Sequence, residues 1–225
     1  FKRRVLTCFA VDPFHVKMTT RLERQKTFFL PFDQGGNGAG EVGGAGNPPA
    51  PDGGYPTAYL WQRVLCRDAL LELLHKFLHL EKTEKKDPAT GKVTVRERLI
   101  FPRYHQWDVL HKLLDDIRAH GPGQQYLIQH SAGSGKSNSI AWLAHRLSGL
   151  HDAQEGKIFQ SVIVVTDRRV LDRQLRDTIL QFEQTDGLVR AISKDSAQLR
   201  DAINEGAAII VTTLQKFPVI FREVR

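Results

Sequence analysis

The eight residues His130-Ser131-Ala132-Gly133-Ser134-Gly135-Lys136-Ser137 constrain this chain more than any other stretch. They follow the apolar run Tyr126-Leu127-Ile128 and open onto Ile140-Ala141-Trp142-Leu143-Ala144-His145-Arg146-Leu147, which has helical periodicity. Strand, glycine-rich turn and helix, with Gly-Lys-Ser at the junction, is the layout of a phosphate-binding loop. Gly133 and Gly135 let backbone N–H groups turn inward around a phosphate chain. The helix N-terminus adds unpaired donors and the positive end of its dipole. Lys136, the candidate catalytic residue, would reach the β- and γ-phosphates, and the Ser137 hydroxyl would be a Mg²⁺ ligand. Gly133, Ser134, Gly135, Lys136 and Ser137 are thus the candidate cofactor contacts. His130 stands where G-x-x-x-x-G-K-[ST] has its first glycine, and an ordinary strand-to-helix turn is the alternative reading.

Downstream the pattern repeats. Val162-Ile163-Val164-Val165 is a continuous apolar strand of the kind buried in parallel sheets. It ends in Thr166-Asp167-Arg168-Arg169 and enters a helix carrying Leu171, Leu175, Ile179 and Phe182. A second buried-type strand, Ala207 to Val211, ends in Thr212-Thr213-Leu214-Gln215-Lys216. Ligand residues of open α/β sheets collect at the carboxyl ends of strands. Hydroxyls beside Arg or Lys at two such ends suit a phosphodiester backbone, and helix capping by Thr or Asp is the alternative. Upstream, a helix with Trp107, Leu110, Leu113, Leu114 and Ile117 begins near Gln106, whose amide could read an adenine edge or lie on the surface.

The first part of the chain differs in character. Arg4 to Val11, His15 to Thr20 and Lys26 to Phe32 read as short strands of a small antiparallel unit. Nine of the 18 glycines lie between Gly35 and Gly54, with Pro48, Pro49 and Pro51, which predicts a flexible loop or linker. Leucines recurring at three- and four-residue steps predict a long helix from Thr57 to about Leu80. Glu81 to Pro88 reads as a mixed-sign surface turn, and Lys92 to Ile100 as a strand. The net charge of +7 and pI near 9.5 suit a polyanionic partner. Cys8 and Cys66 lack metal spacing, sit in apolar runs and fit a reducing cytoplasm. No apolar run approaches the roughly 20 residues of a membrane span.

Taken together, Tyr104-His105-Gln106, the loop from His130 to Ser137, the block Val164 to Leu175 and the block Ile210 to Phe217 occur in the order seen in superfamily 2 helicase-like motors. The run His130 to His145 resembles the restriction subunit of Type I restriction-modification enzymes, where a histidine at the first loop position is usual. The resemblance extends upstream to Asp12-Pro13, Met18-Thr19-Thr20-Arg21-Leu22, Phe29-Leu30-Pro31-Phe32, Gly44-Ala45-Gly46-Asn47-Pro48 and Tyr59-Leu60-Trp61.

That resemblance implies an ATP- and Mg²⁺-dependent translocase of double-stranded DNA. It would be joined to a nuclease domain and assembled with methyltransferase and specificity subunits, in the cytoplasm. Gln106 would recognise adenine, Gly133, Gly135, Lys136 and Ser137 would hold the triphosphate and Mg²⁺, and Thr166, Arg168 and Thr213 would contact the DNA backbone. The implied organisation is the end of a nuclease region over 1–34, a linker over 35–56, a connecting helix and strand over 57–100, and the first part of a RecA-like α/β motor domain over 101–225. Nuclease carboxylates are expected upstream of Phe1, and an Asp-Glu-x-His box and arginine finger beyond Arg225, so these residues are expected to bind nucleotide weakly without turning it over. A stand-alone superfamily 2 repair helicase and a non-hydrolysing nucleotide-binding module are the alternatives.

Overall fold

The computed structural model describes residues 5–35, 47–50, 52–88, 90–167, 169–183, 187–192 and 196–218. The chain divides into two compact units, Phe1–Val109 and Leu110–Arg225.

In the first unit, β1 (Cys8–Val11), β2 (Val16–Thr19) and β3 (Leu30–Pro31) form the expected antiparallel sheet in that order. Asp12 makes the turn between β1 and β2. Its carboxylate accepts the N–H groups of Phe14 and His15 at 2.7 and 2.8 Å, and these bonds hold the carboxyl below its usual range. Val16 and Met18 point inward, where Phe9, Phe32, Phe101, Tyr104 and Tyr59 stack edge-on. The Tyr59 hydroxyl donates to the Phe32 carbonyl, and burial pushes its phenol well above the ordinary range.

Part of the glycine-rich stretch lies outside the described residues, including Gly44, Ala45 and Gly46 of the Gly-Ala-Gly-Asn-Pro block. Its Asn47 is buried. The Asn47 amide donates to the Phe14 carbonyl at 2.8 Å and to Asp33 at 2.9 Å, and its oxygen accepts the Gln34 N–H at 2.7 Å. Asp33 in turn accepts the Val16 N–H and faces His15. One side chain thus ties the end of the linker to the sheet. Replacing Asn47 by alanine removes three part-buried hydrogen bonds, one of them to a carboxylate, and we expect a loss of about 2–4 kcal/mol. Chemical unfolding of the variant measures this, and an unchanged midpoint would show that water replaces the amide without penalty.

Two expectations are corrected here. The stripe from Thr57 to Leu80 is helical but broken. A π-helical turn covers Leu60–Val64, Cys66 is extended, and α1 (Arg67–Glu72) runs into a second π turn, Leu73–Phe77. The bonds from Leu65 N–H to the Leu60 carbonyl and from Leu78 N–H to that of Leu73 are of the wider i→i−5 kind. This winding buries Leu60, Val64, Leu73 and Phe77 and leaves Leu71 and Leu74 exposed. Likewise, the supposed surface turn at Glu81 to Pro88 is largely β4 (His79–Lys86), paired antiparallel with β5 (Val93–Ile100). Opposite charges face each other in that register. Arg98 sits opposite Glu81 at 2.9 Å and Lys82 opposite Glu97 at 3.8 Å. Mixed sign was therefore cross-strand complementarity.

In the second unit, α3 (Lys136–Ser148), β6 (Val162–Thr166), α4 (Arg169–Gln181), β7 (Val189–Ala191), α5 (Ser196–Asn204) and β8 (Ile209–Thr213) alternate along the chain. The strands are parallel in the order β6-β8-β7, with all of β8 buried at the centre. Ala141 and Ala144 of α3 pack with Leu175 and Ile179 of α4 on Val189, Ile209 and Val211. On a separate cluster Leu199 and Ala202 of α5 meet Ile192 and Ile210. Helix α2 (Tyr104–His120) places Leu114 and Ile117 against Leu150.

The expected strand at Tyr126-Leu127-Ile128 is not formed. Residues 124–130 carry no regular secondary structure, and Leu127 is 94% exposed. A strand exists only within a ladder, and β6, β8 and β7 pair among themselves. Tyr126 is held instead by its hydroxyl, which donates to Asp116 at 2.6 Å; that bond pushes its phenol above the ordinary range.

Candidate nucleotide and nucleic-acid site

The phosphate-binding loop is built from its glycines. Gly133 and Gly135 have φ of +74° and +83°, a backbone that side chains rarely adopt. At Gly133 an added Cβ would meet nothing within 4 Å, so conformation and not space demands glycine there. Gly135 stands just before α3, whose N-terminus carries no side-chain cap. The first-turn N–H groups of such a helix have no acceptor within it, which suits an anion. Lys136 donates to the carbonyls of His130 at 3.2 Å and Ser131 at 2.9 Å. Its ammonium therefore lies across the loop, and phosphates would exchange with those two carbonyls. Ser134 is buried beneath the loop and Ser137 is half-buried.

His130 shapes the local charge. Burial first, and the Lys136 ammonium second, hold its imidazole below the ordinary histidine range. The shift favours the neutral imidazole beside the Lys136 ammonium. As pH falls below that range the unfolded chain takes up the proton first, and the folded loop loses stability.

The second unit has a groove of about 530 Å³ between α3 and β6. Lys136 and Ser137 line it together with Thr166 and Asp167, and Ile140, Leu143 and Val164 form apolar walls. The loop and one strand end thus open onto the same groove. Thr166 and Thr213 are register partners at the carboxyl ends of β6 and β8. Thr213 makes no side-chain cap to the turn that follows, so the capping alternative does not hold there. Thr166 Oγ1 donates a long 3.5 Å bond to the Thr212 carbonyl. Arg168 lies outside the described residues.

Gln106 belongs to the first unit. It is buried, and its amide oxygen accepts the Arg103 N–H at 2.9 Å, closing the first turn of α2. Arg63 braces the same turn. It donates to the Tyr104 hydroxyl at 3.0 Å, pairs with buried Asp108 at 3.3 Å and lies 5.1 Å from the Trp107 ring centroid. Burial and Asp108 raise the Tyr104 phenol to about 12.

Residues 105–224 match the SWI2/SNF2 ATPase family, just over half of the chain. The chain belongs to that family. A RecA-like P-loop ATPase fold of the superfamily 2 helicase-like type, with ATP as its nucleotide, follows from this membership. The matched region of this SWI2/SNF2 ATPase begins at His105 and takes in Gln106, the loop, both strand ends and the parallel sheet. Neither a curated protein nor a solved structure matches the chain significantly. Among the described residues, no helix is long and apolar enough to cross a membrane.

Sequence reading assigned no individual role to Asn47, Asp33, Arg63 or Gln215, although Asn47 stood in the Gly-Ala-Gly-Asn-Pro block. The roles of the first three depend on partners 13 to 45 residues away, with no local signature. Gln215 was seen only as part of a strand-end block, and its partner Asp167 is equally remote.

Proposed function

We propose that this SWI2/SNF2 ATPase is part of the motor subunit of a Type I restriction-modification enzyme, which uses ATP and Mg²⁺ to translocate double-stranded DNA. The observation that carries the DNA reading is the alignment of Thr166 and Thr213 at adjacent parallel strand ends. Two threonines in register, with Arg168 two residues beyond one of them, suit consecutive oxygens of a phosphodiester chain. A basic chain of net charge +7 adds the attraction that such binding requires. Lys136 and the loop N–H groups would hold the β- and γ-phosphates and Ser137 would donate its oxygen to Mg²⁺, while Gln106 is the residue that the family likeness assigns to the adenine. The bound ion supplies charge neutralisation for phosphoryl transfer. The restriction assignment rests on the likeness of the His130-to-His145 run and the upstream blocks to that family. It brings the methyltransferase and specificity subunits as partners, a nuclease function in the same polypeptide, and a cytoplasmic setting.

Titrating a labelled DNA duplex with the chain tests the DNA reading. Thr213→Ala and Arg168→Ala should each weaken binding about three- to tenfold, the range of one lost hydrogen bond, with affinity for an ATP analogue intact. Equal DNA affinity in both variants would remove these residues from the DNA site. For the partners, the intact subunit should co-migrate with a methyltransferase–specificity complex. Retained ATP and DNA binding without co-migration would favour a repair helicase instead.

A further inference from the structure

The short 3₁₀ turn Leu214–Lys216 follows β8 directly, and its two polar side chains reach in opposite directions. Gln215 is exposed, and its amide nitrogen donates to the Asp167 carbonyl at 2.9 Å, 48 residues away. Asp167 is the residue immediately after Thr166, where β6 ends. Lys216 donates through Nζ to the Ile192 carbonyl on the other side. Ile192 is the residue after β7, and its N–H donates to the Val211 carbonyl, carrying the β7–β8 ladder one step further. One turn therefore grips the chain on both flanks of β8, each time one residue past the end of the neighbouring strand. Backbone ladders fix the strands as far as Thr166 and Thr213, but not the loops that leave them.

We propose that Gln215 and Lys216 are positioning residues that clasp the three strand ends, so that Thr166 and Thr213 present one continuous edge to a nucleic-acid backbone. The inference rests on the DNA-backbone reading of those two threonines. Gln215 acts through Asp167, next to Thr166, and itself contacts no phosphate. Lys216 spends its ammonium on the Ile192 carbonyl, which holds the end of β7. The clasp accounts for a glutamine and a lysine placed just past a strand whose five residues are all buried: they are the first polar side chains after Thr213, since Leu214, which precedes them, is apolar and exposed.

The experiment is a double-mutant cycle on the whole chain, read by binding of a labelled duplex over a range of salt. Gln215→Met keeps the length of the side chain and removes the donor. It should raise Kd about three- to tenfold, leave affinity for an ATP analogue and the melting temperature unchanged, and leave the salt slope unchanged. In a Thr213→Val background the same substitution should have little further effect, because its action passes through the threonine edge. Lys216→Met should also weaken binding without altering the salt slope, whereas a direct phosphate contact would lower the slope by about 0.9. Full additivity of Gln215→Met with Thr213→Val, or a reduced slope in Lys216→Met, overturns the clasp in favour of direct contacts. Normal affinity in Gln215→Met while Thr213→Val binds weakly overturns it while leaving the DNA reading intact. If Thr166→Val and Thr213→Val both bind normally, the DNA reading falls and the clasp falls with it.

Discussion

Lys136→Ala is expected to lower affinity for an ATP analogue at least about tenfold and to abolish the proposed ATP-driven translocation. The loop holds the Lys136 ammonium between its own carbonyls, 3.2 Å from His130 O and 2.9 Å from Ser131 O, so a positive charge stands at the mouth of the glycine turn before any phosphate arrives. A charge-assisted hydrogen bond contributes about 1.5–3 kcal/mol, which corresponds to roughly ten- to 150-fold in affinity. His130 is a poor replacement, because burial and the Lys136 ammonium hold its imidazole below the ordinary histidine range. Arginine is a poor substitute, since its planar fork is larger than the compact ammonium that fits between two carbonyls. Isothermal titration with a non-hydrolysable analogue measures the effect. Wild-type affinity in the alanine variant would show that the loop does not grip phosphate through Lys136.

Trp142→Ala should unfold the second unit more readily, by about 3–5 kcal/mol, as for other buried tryptophans. Trp142 is 1% exposed and lies on α3 in the second turn after the phosphate loop. Its ring meets Phe182, beyond the end of α4, edge-on at 5.5 Å, and this contact locks the two helices that flank β6. Removing the indole leaves a cavity between them and loosens the helix whose N-terminus carries Lys136 and Ser137. The urea midpoint of the second unit should fall, and nucleotide affinity should fall with it. A lowered midpoint with wild-type nucleotide affinity would mean that the loop keeps its shape without support from the core.

These variants separate two levels at which the site is specified. The glycines, Lys136 and Ser137 are adjacent in the chain, and their chemistry depends only on backbone conformations within a few residues. A local pattern therefore suffices to recognise the loop. The same holds for Ile209 to Val211, whose unbroken apolar run suits a strand covered on both faces and is buried at the centre of the parallel sheet; Val162 to Val165 joins the same sheet, but Ile163 and Val165 stay 40% and 43% exposed. The stripe at Thr57 to Leu80 was legible as helical, but its break at Cys66 and its π turns were not, because the wider winding answers to which side chains are buried.

Other features were decided only by the folded chain. Alternating charge at Glu81 to Lys86 has two readings until a partner strand supplies Arg98 and Glu97 across the ladder. Tyr126 to Ile128 has the composition of a strand, yet composition does not provide a neighbour to pair with. Gln106 could be recognised as a candidate, whereas its bond to the Arg103 N–H depends on how α2 begins. The amino-acid sequence by itself determined the phosphate grip and the class of sheet, because both follow from short-range stereochemistry and period. The tertiary structure alone decided which strand ends stand side by side and what holds them there. Thr166 meets Thr213, and Gln215 meets Asp167, only after nearly fifty intervening residues have folded into the crossovers between them.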